Sequence, residues 1–241
     1  MPIGAKRATL SEKGLMTPDN CVFALVDLQP QKLSHVANVD PAALIEANTI
    51  LAKTACAFKV PLVLSTLETQ LISSPMWSQV SAVLAAKAPV PRTTISPWDD
   101  PNFVAAIERT GRRRIVLSGL WTETSIAFAG VQALYDGYEV FVVEDGCGAL
   151  SQFAHANAMQ RVIQAGAKAV TALSALLELQ RDWAAEATYA AVMEILRMHG
   201  GRYGSGFDAS GERPALATDD SAEASRGDPA RFMRPCPRSG L

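Results

Sequence analysis

Six apolar residues run without a polar break into an aspartate in the stretch Cys21-Val22-Phe23-Ala24-Leu25-Val26-Asp27. Continuous apolarity, as opposed to alternation, is typical of a parallel strand that helices cover on both faces. Asp27 then stands at the carboxyl end of a buried strand, which is where ligands bind in open parallel sheets. The position suits a general acid or base, and it equally suits a residue that caps the following turn.

Segments of the same character recur along the chain and predict a six-stranded sheet. The other five strands are predicted at 60–65, 88–91, 114–119, 138–143 and 168–171. Helical periodicity and capping signals between them predict helices at 41–58, 75–87, 101–111, 122–135 and 151–165, and either one long helix or two shorter ones at 173–198. Strand–helix alternation of this kind builds right-handed βαβ units, so we expect an α/β fold with a parallel sheet between two layers of helices.

Length and charge restrict the class of protein. The chain has 241 residues, of which 49% are hydrophobic, which is enough for a sizeable buried core. Its 22 basic and 24 acidic residues nearly balance, so the chain carries no electrostatic signature of a nucleic-acid or anionic-membrane partner. No apolar run reaches the roughly 18 residues of a membrane span. We therefore expect neither nucleic acid nor membrane among its partners.

The cysteine and glycine patterns argue against cofactors. The four cysteines are scattered and have neither disulfide-framework nor metal-ligand spacing, which favours a reducing, cytoplasmic compartment and no metal site. No glycine-rich phosphate-binding motif follows a strand, so we expect no dinucleotide or nucleotide cofactor. Only Cys147, just past the predicted fifth strand, stands where it would approach a site at the carboxyl ends of the strands. His155 lies on a helical face and is interpreted as structural.

The composition changes sharply near residue 200. Residues 200–241 are rich in glycine, proline and arginine and contain neither isoleucine nor valine. Such a segment cannot bury enough apolar surface to offset the entropy lost on ordering. We predict a disordered tail at 200–241, a folded domain at 20–199 and a weakly patterned extension at 1–19.

Two further strand ends carry candidate site residues. Arg92 ends the third strand segment and either pairs with Asp27 across the sheet edge or lies solvated on the surface. Ser125 lies in the first turn of the helix after the fourth strand, where free backbone N–H groups and the helix dipole favour negative charge. Ser125 is therefore a candidate nucleophile, unless the Ser/Thr cluster there only caps the helix. Trp98 and Glu68 are candidates for lining the pocket, although an aromatic residue at a position such as that of Trp98 is usually part of a core.

Taken together, these residues resemble the isochorismatase-like superfamily of cysteine hydrolases over roughly residues 15–199. The matching segments are Val26-Asp27-Leu28-Gln29, 95–100, 118–125, 142–145 and 178–183. The last of these looks like the final-helix motif of a hydrolase subgroup that has arginine where most members have a catalytic lysine. The resemblance implies a Rossmann-like, three-layer α-β-α sandwich with a six-stranded parallel sheet.

The same resemblance implies a role for each site residue. Asp27 takes the position of the family's aspartate, Arg92 that of its lysine, and Ser125 that of its nucleophilic cysteine. A cis peptide bond is implied between Leu120 and Trp121. It would turn the Trp121 N–H toward the oxyanion site, beside the Ser125 N–H.

The serine at position 125 leaves three interpretations of function. The first is hydrolysis of a small amide or related C–N bond through Ser125, with a large loss of rate because a hydroxyl is harder to activate than a thiol. The second is non-covalent hydrolysis that depends on Asp27, as in the isochorismatase branch. The third is a lapsed family member that acts as a binding or scaffold protein. The resemblance also implies a homo-oligomer, a tetramer or octamer, acting on a small-molecule substrate.

Overall fold

The computed structural model describes residues 14–84 and 87–205. Within these residues the chain forms one six-stranded sheet in the order β3-β2-β1-β4-β5-β6, and every strand pairing is parallel. The strands are β1 (Cys21–Val26), β2 (Leu62–Leu67), β3 (Val90–Arg92), β4 (Arg114–Leu120), β5 (Glu139–Gly148) and β6 (Lys168–Val170). The expected six-stranded parallel sheet of an α/β sandwich is thereby confirmed.

Helices cover both faces of this sheet. In chain order the α-helices are α1 (Pro30–Leu33), α2 (Pro41–Phe58), α3 (Ser78–Val83), α4 (Pro101–Glu108), α5 (Ala127–Tyr135), α6 (Gln152–Gln164), α7 (Ala172–Gln180), α8 (Glu186–His199) and α9 (Gly201–Ser205). A 3-10 turn spans Pro97–Asp99, and a π-helical turn, Thr122–Ile126, joins β4 to α5. In the part of the chain that the structure describes, no helix is long and apolar enough to cross a membrane.

The central strand β1 explains the unbroken apolar run with which the domain begins. Successive side chains of a strand point to opposite faces. Phe23 and Leu25 enter the apolar cluster that contains residues of α2, α7 and α8, whereas Val22 and Ala24 enter the cluster that contains residues of α4, α5 and α6. Both faces of β1 are therefore buried, and the strand carries the aspartate that follows it into the middle of the carboxyl edge of the sheet.

Several boundaries differ from those predicted. The predicted helix at 75–87 shortens to α3, whose first turn has no side-chain cap. Of the two alternatives for 173–198, the chain takes two helices, α7 and α8, because Arg181 has a positive φ of 49° that an α-helix cannot contain. The π-helical turn occupies the start of the helix predicted at 122–135.

The fifth strand is longer than predicted, which corrects the position assigned to Cys147. β5 continues to Gly148 after a register shift against β4, and Cys147 pairs opposite Gly119 within the strand. Its side chain is fully buried in an apolar cluster. The prediction that Cys147 lies past the strand is therefore wrong. Burial raises the pKa of its thiol to about 12, so it does not supply a thiolate near neutral pH.

The two terminal segments are only partly described. The domain continues past His199 into α9, so the first residues of the predicted tail are helical. Residues 206–241 of that tail and residues 1–13 of the predicted extension lie outside the described residues.

Gly119 is required where β4 passes β1. Its φ is 133°, and a Cβ atom built there would lie 1.9 Å from the backbone oxygen of Val26. We expect Gly119→Ala to lower the free energy of unfolding by at least about 3 kcal/mol, because the backbone of either strand would have to move. The measurement is urea unfolding followed by circular dichroism.

Gly111→Ala provides the matched control. Gly111 also has a positive φ, of 66°, but nothing lies within 4 Å of the position that a Cβ atom would take there. This control should cost only about 1–2 kcal/mol, the conformational penalty alone. Equal stability of the two variants would contradict the close approach of β4 to β1.

Candidate active site

Asp27 follows β1 directly, and the backbone turns there out of the sheet. Its φ is 55°, a left-handed conformation that aspartate tolerates better than most residues. Its N–H donates to the carbonyl of Ser65 at 2.8 Å, so the residue is still anchored to the neighbouring strand. The side chain is fully buried. A carboxylate in this position must be compensated by cations or donors, since an isolated buried charge is costly.

Arg92 supplies the first compensating cation from the end of β3. Its Nη1 donates to Oδ1 of Asp27 at 2.5 Å, and its Nη2 donates to Oδ2 at 2.8 Å. Further bonds to Ser65 Oγ and to the Ile95 carbonyl, at 3.2 Å each, hold the guanidinium in place. Of the two alternatives for Arg92, the structure shows the pair with Asp27 and not the solvated side chain. Its Nε is buried and has no acceptor within the described residues, so one donor of the guanidinium is unpaired.

Lys32 supplies a second cation, which sequence reasoning missed. It lies in the four-residue helix α1, and its Nζ donates to Oδ2 of Asp27 at 2.6 Å and to the Leu120 carbonyl at 3.1 Å. The side chain is only 2% exposed. Burial lowers the pKa of Lys32, against the opposing effect of Asp27. The one available signal was its position five residues after the buried aspartate, in a segment that otherwise resembles a solvated turn.

Ser125 approaches the same carboxylate from the π-helical turn. Its Oγ lies 3.3 Å from Oδ2 of Asp27 and 3.4 Å from Nη2 of Arg92. The side chain is 2% exposed. The structure therefore brings together the three residues that the resemblance implied. Their catalytic roles stay a prediction, whereas their proximity is observed.

The turn that carries Ser125 is fixed at several points. The Leu120–Trp121 peptide bond is cis, as the resemblance implied. The Trp121 indole donates to the Lys32 carbonyl at 3.2 Å, and Lys32 Nζ lies 4.6 Å from the centre of its ring. Thr122 Oγ1 donates to the Gly148 carbonyl at 3.0 Å. The turn is thus attached to α1 on one side and to β5 on the other.

His155 supports this turn from α6. Its Nδ1 lies 3.0 Å from Thr122 Oγ1, and its Nε2 lies 3.8 Å from Glu144 Oε1. The ring is buried, and burial lowers the pKa of His155 below its ordinary value of 6.5. These contacts agree with the prediction that His155 is structural.

The two candidates for pocket lining differ in position. Trp98 is buried in the apolar cluster on one face of the sheet, edge-on to Phe103 and Tyr138, and its indole donates to Asp136 at 2.7 Å. These are the contacts of a core residue, so Trp98 belongs to the core and does not line a pocket. Glu68 is half-buried next to Arg92, whose carbonyl accepts its N–H at 2.7 Å.

Residues 178–183 form hydrogen bonds at the corner between α7 and α8. Glu178 Oε1 accepts the N–H of Met16, and Arg181 Nη2 donates to the Met16 carbonyl at 3.1 Å. Gln180 Oε1 accepts from Thr188 Oγ1 at 2.6 Å. This family-like motif therefore connects the start of the domain with the α7–α8 corner, and none of these contacts involves Asp27.

The chemistry available at the site is that of one carboxylate, two cations and one hydroxyl. Within residues 14–84 and 87–205, no group of three histidine, cysteine, aspartate or glutamate side chains is placed to hold a metal ion. An arrangement of this kind can transfer a proton from the hydroxyl to the carboxylate. It can also stabilise negative charge that develops on a bound substrate.

Comparison with known proteins identifies the family of the domain. The family model described as the isochorismatase domain matches residues 21–174. The probable hydrolase YcaC of Escherichia coli is 31% identical over 166 residues, which cover 68% of this chain and 80% of that protein.

Two solved structures are similar in fold. The Escherichia coli YcaC structure, described as an octameric hydrolase of unknown specificity, has a TM-score of 0.74 and 28% identity, and the match covers 78% of this chain and 92% of that one. YcaC from Pseudomonas aeruginosa, solved with hexane-2,5-diol and covalent acrylamide, has a TM-score of 0.75 and 27% identity. This match covers 82% of this chain and 96% of that one.

Removal of the Asp27 charge should destabilise the domain. In Asp27→Asn, two buried cations lose their carboxylate, and we expect the free energy of unfolding to fall by about 3–5 kcal/mol. Glu139→Gln is the matched control, because Glu139 also pairs with two cations, Arg114 and Lys168, but its side chain is 43% exposed. The control should change stability by less than about 1 kcal/mol in urea unfolding. Similar losses in both variants would contradict a buried ion cluster.

Acidification should destabilise the domain through His155. Because its pKa is lowered on folding, the unfolded chain binds the proton more readily, and stability falls as the pH drops below about 6.5. Between pH 7.5 and 5.5, we expect the wild type to lose up to about 1 kcal/mol more than His155→Gln. Urea unfolding at each pH measures this, with His35→Gln, an exposed histidine, as control. Parallel losses in the wild type and His155→Gln would contradict the assignment.

Proposed function

The chain belongs to the isochorismatase family, and from this premise we propose that it hydrolyses a small amide or a related C–N bond with Asp27, Arg92 and Ser125. The observation that carries the proposal is the 3.3 Å separation between Ser125 Oγ and Asp27 Oδ2, inside a buried cluster at the carboxyl edge of the sheet. A nucleophile within reach of a general base is the arrangement that covalent hydrolysis requires.

In the proposed reaction, Asp27 takes the hydroxyl proton while Ser125 Oγ forms a bond to the acyl carbon of the substrate. The C–N bond then breaks, the amine leaves with a proton, and water releases the acyl group from Ser125. Arg92 orients Asp27 through its two parallel hydrogen bonds.

The oxyanion is assigned to two backbone N–H groups, those of Trp121 and Ser125. Both belong to the turn between β4 and α5, and preorganised donors there would stabilise the negative charge of the tetrahedral intermediate. Glu68, beside Arg92, is proposed to contribute to the wall of the substrate pocket. The proposed substrate is a small molecule, and the reaction needs neither a metal nor an organic cofactor.

The serine lowers the rate expected of this site. A helix N-terminus and neighbouring cations lower the pKa of a thiol by several units, whereas the same devices cannot bring a serine hydroxyl near neutrality. Ser125 therefore depends on a general base for its reactivity, more than a cysteine in the same place would. Slow turnover of amides is the consequence.

Assembly and compartment are proposed on separate grounds. The Escherichia coli relative is octameric, which supports a homo-oligomer, a tetramer or octamer, for this chain. Leu71, Tyr135 and Phe153 are large, apolar and at least 81% exposed, which is surface that a second copy would cover. The scattered cysteines support a cytoplasmic location.

Ammonia release from a panel of small amides tests the proposed function. We expect Ser125→Ala and Asp27→Asn to lose at least about 10³-fold in kcat/KM, and Ser125→Cys to exceed the wild type by about tenfold or more. Ser81→Ala, which alters an exposed serine of α3, should match the wild type.

The other outcomes select other functions. Activity in Ser125→Cys alone would reject serine as the nucleophile and indicate a lapsed site that binds without turnover. Activity that survives Ser125→Ala and is lost in Asp27→Asn would indicate non-covalent hydrolysis, with Asp27 as the acid or base.

A further inference from the structure

The second cation of the site has no part in the reaction described so far. Lys32 Nζ lies 2.6 Å from Oδ2 of Asp27, and Ser125 Oγ lies 3.3 Å from the same oxygen. One carboxylate oxygen therefore contacts both the hydroxyl that must lose a proton and an amine that is able to accept one. Arg92 donates to Oδ2 through Nη2 and to the other oxygen, Oδ1, through Nη1.

The Lys32 amine is held firmly in this position. Its Nζ also donates to the Leu120 carbonyl at 3.1 Å and lies over the Trp121 ring, so it contacts the turn that carries Ser125 as well as its base. With 2% exposure, the side chain has no route to solvate its charge. A solvated surface lysine would show neither the burial nor the two directed hydrogen bonds.

We propose that Lys32 accepts the Ser125 proton by way of Asp27 and holds it until the leaving amine needs it. Lys32 is thus a positioning residue that acts through Asp27, and the proposal rests on the covalent function above. In the reactive form Lys32 is a neutral amine and Asp27 a carboxylate. As Ser125 Oγ bonds to the acyl carbon, its proton moves to Oδ2 of Asp27 and from there onto the Lys32 amine. Lys32 is then an ammonium and Asp27 again a carboxylate. When the C–N bond breaks, the proton returns through Asp27 to the leaving amine, and the starting state is restored.

The charges that face Lys32 support this role. Burial lowers its pKa, Arg92 lowers it further, and Asp27 and the more remote Glu123 act in the opposite direction. The net lowering increases the fraction of Lys32 that is neutral and free to accept a proton. Arg92 cannot do the same, because a guanidinium stays protonated in proteins.

Lys32 also makes it easier to remove the proton from the Ser125 hydroxyl. The carboxylate of Asp27 already accepts hydrogen bonds from Arg92 on both oxygens, which leaves it little capacity to keep an additional proton. An adjacent amine that takes over the proton removes this limit. Serine–lysine pairs perform hydroxyl activation on unrelated folds, so the chemistry is available to these residue types.

The test is the pH dependence of Ser125 phosphonylation by a fluorophosphonate, followed from pH 6 to 10 by intact mass, with Ser125→Ala as the background. In the wild type we expect the labelling rate to rise with pH as Lys32 becomes neutral. Lys32→Arg keeps a positive charge and hydrogen-bond donors but cannot lose its proton. It should show no such rise and a rate at pH 9 lower by about tenfold to 10²-fold.

Two further variants make the result specific. Lys32→Gln tests the loss of the amine without a bulky replacement and should behave like Lys32→Arg. Lys168→Arg is the matched control, because Lys168 pairs with Glu139 at 2.8 Å on an exposed part of β6, and it should keep the wild-type profile. Circular dichroism of each variant establishes that it is folded.

The outcomes separate this proposal from the one on which it rests. A wild-type pH profile in Lys32→Arg or Lys32→Gln, with Ser125 still labelled, would overturn the role of Lys32 and leave the covalent function intact. Failure of the wild type to label at Ser125 at any pH would overturn both proposals. A flat profile in both Lys32 variants, beside a rising wild type and a rising Lys168→Arg, is the result that supports it.

Discussion

The site depends on one buried carboxylate that two cations compensate. Asp27 is fully enclosed at the carboxyl edge of the sheet, and a charge there is tolerated only because Arg92 and Lys32 donate directly to it. The three residues come from β1, the end of β3 and α1, and Ser125 comes from the turn after β4. The ion cluster therefore joins the ends of β1 and β3 to α1 and to the turn after β4.

The sequence predicts the strands and most of the site because both follow from local rules. Unbroken apolar runs mark doubly covered strands, and the carboxyl ends of such strands converge on one edge, which brings Asp27, Arg92 and Ser125 together. The end of β5 differs from the prediction because it does not follow from local sequence. It depends on a register shift against β4, a property of the paired strands that the residues around Cys147 do not display.

Lys32 escaped prediction because its burial is decided by tertiary structure. Gln31, Ser34 and His35 lie near it in the chain, and its charge is typical of a solvated turn. Only the folded domain places the turn of Leu120 and Trp121 over α1, which encloses the ammonium and gives it two acceptors. The presence of this amine changes how the serine is understood: a weaker nucleophile is accompanied by a second group that is able to hold its proton.

The proposed chemistry depends above all on Ser125 Oγ as the atom that attacks the substrate. Acid quenching after brief exposure to an activated acyl ester, such as p-nitrophenyl acetate, followed by peptide mass spectrometry, detects this attack directly. We predict one acetyl group on the peptide that contains Ser125, absent from Ser125→Ala and strongly reduced in Asp27→Asn. Acetylation confined to another residue, such as the exposed thiol of Cys56, or turnover of the ester without any adduct at Ser125, would contradict it.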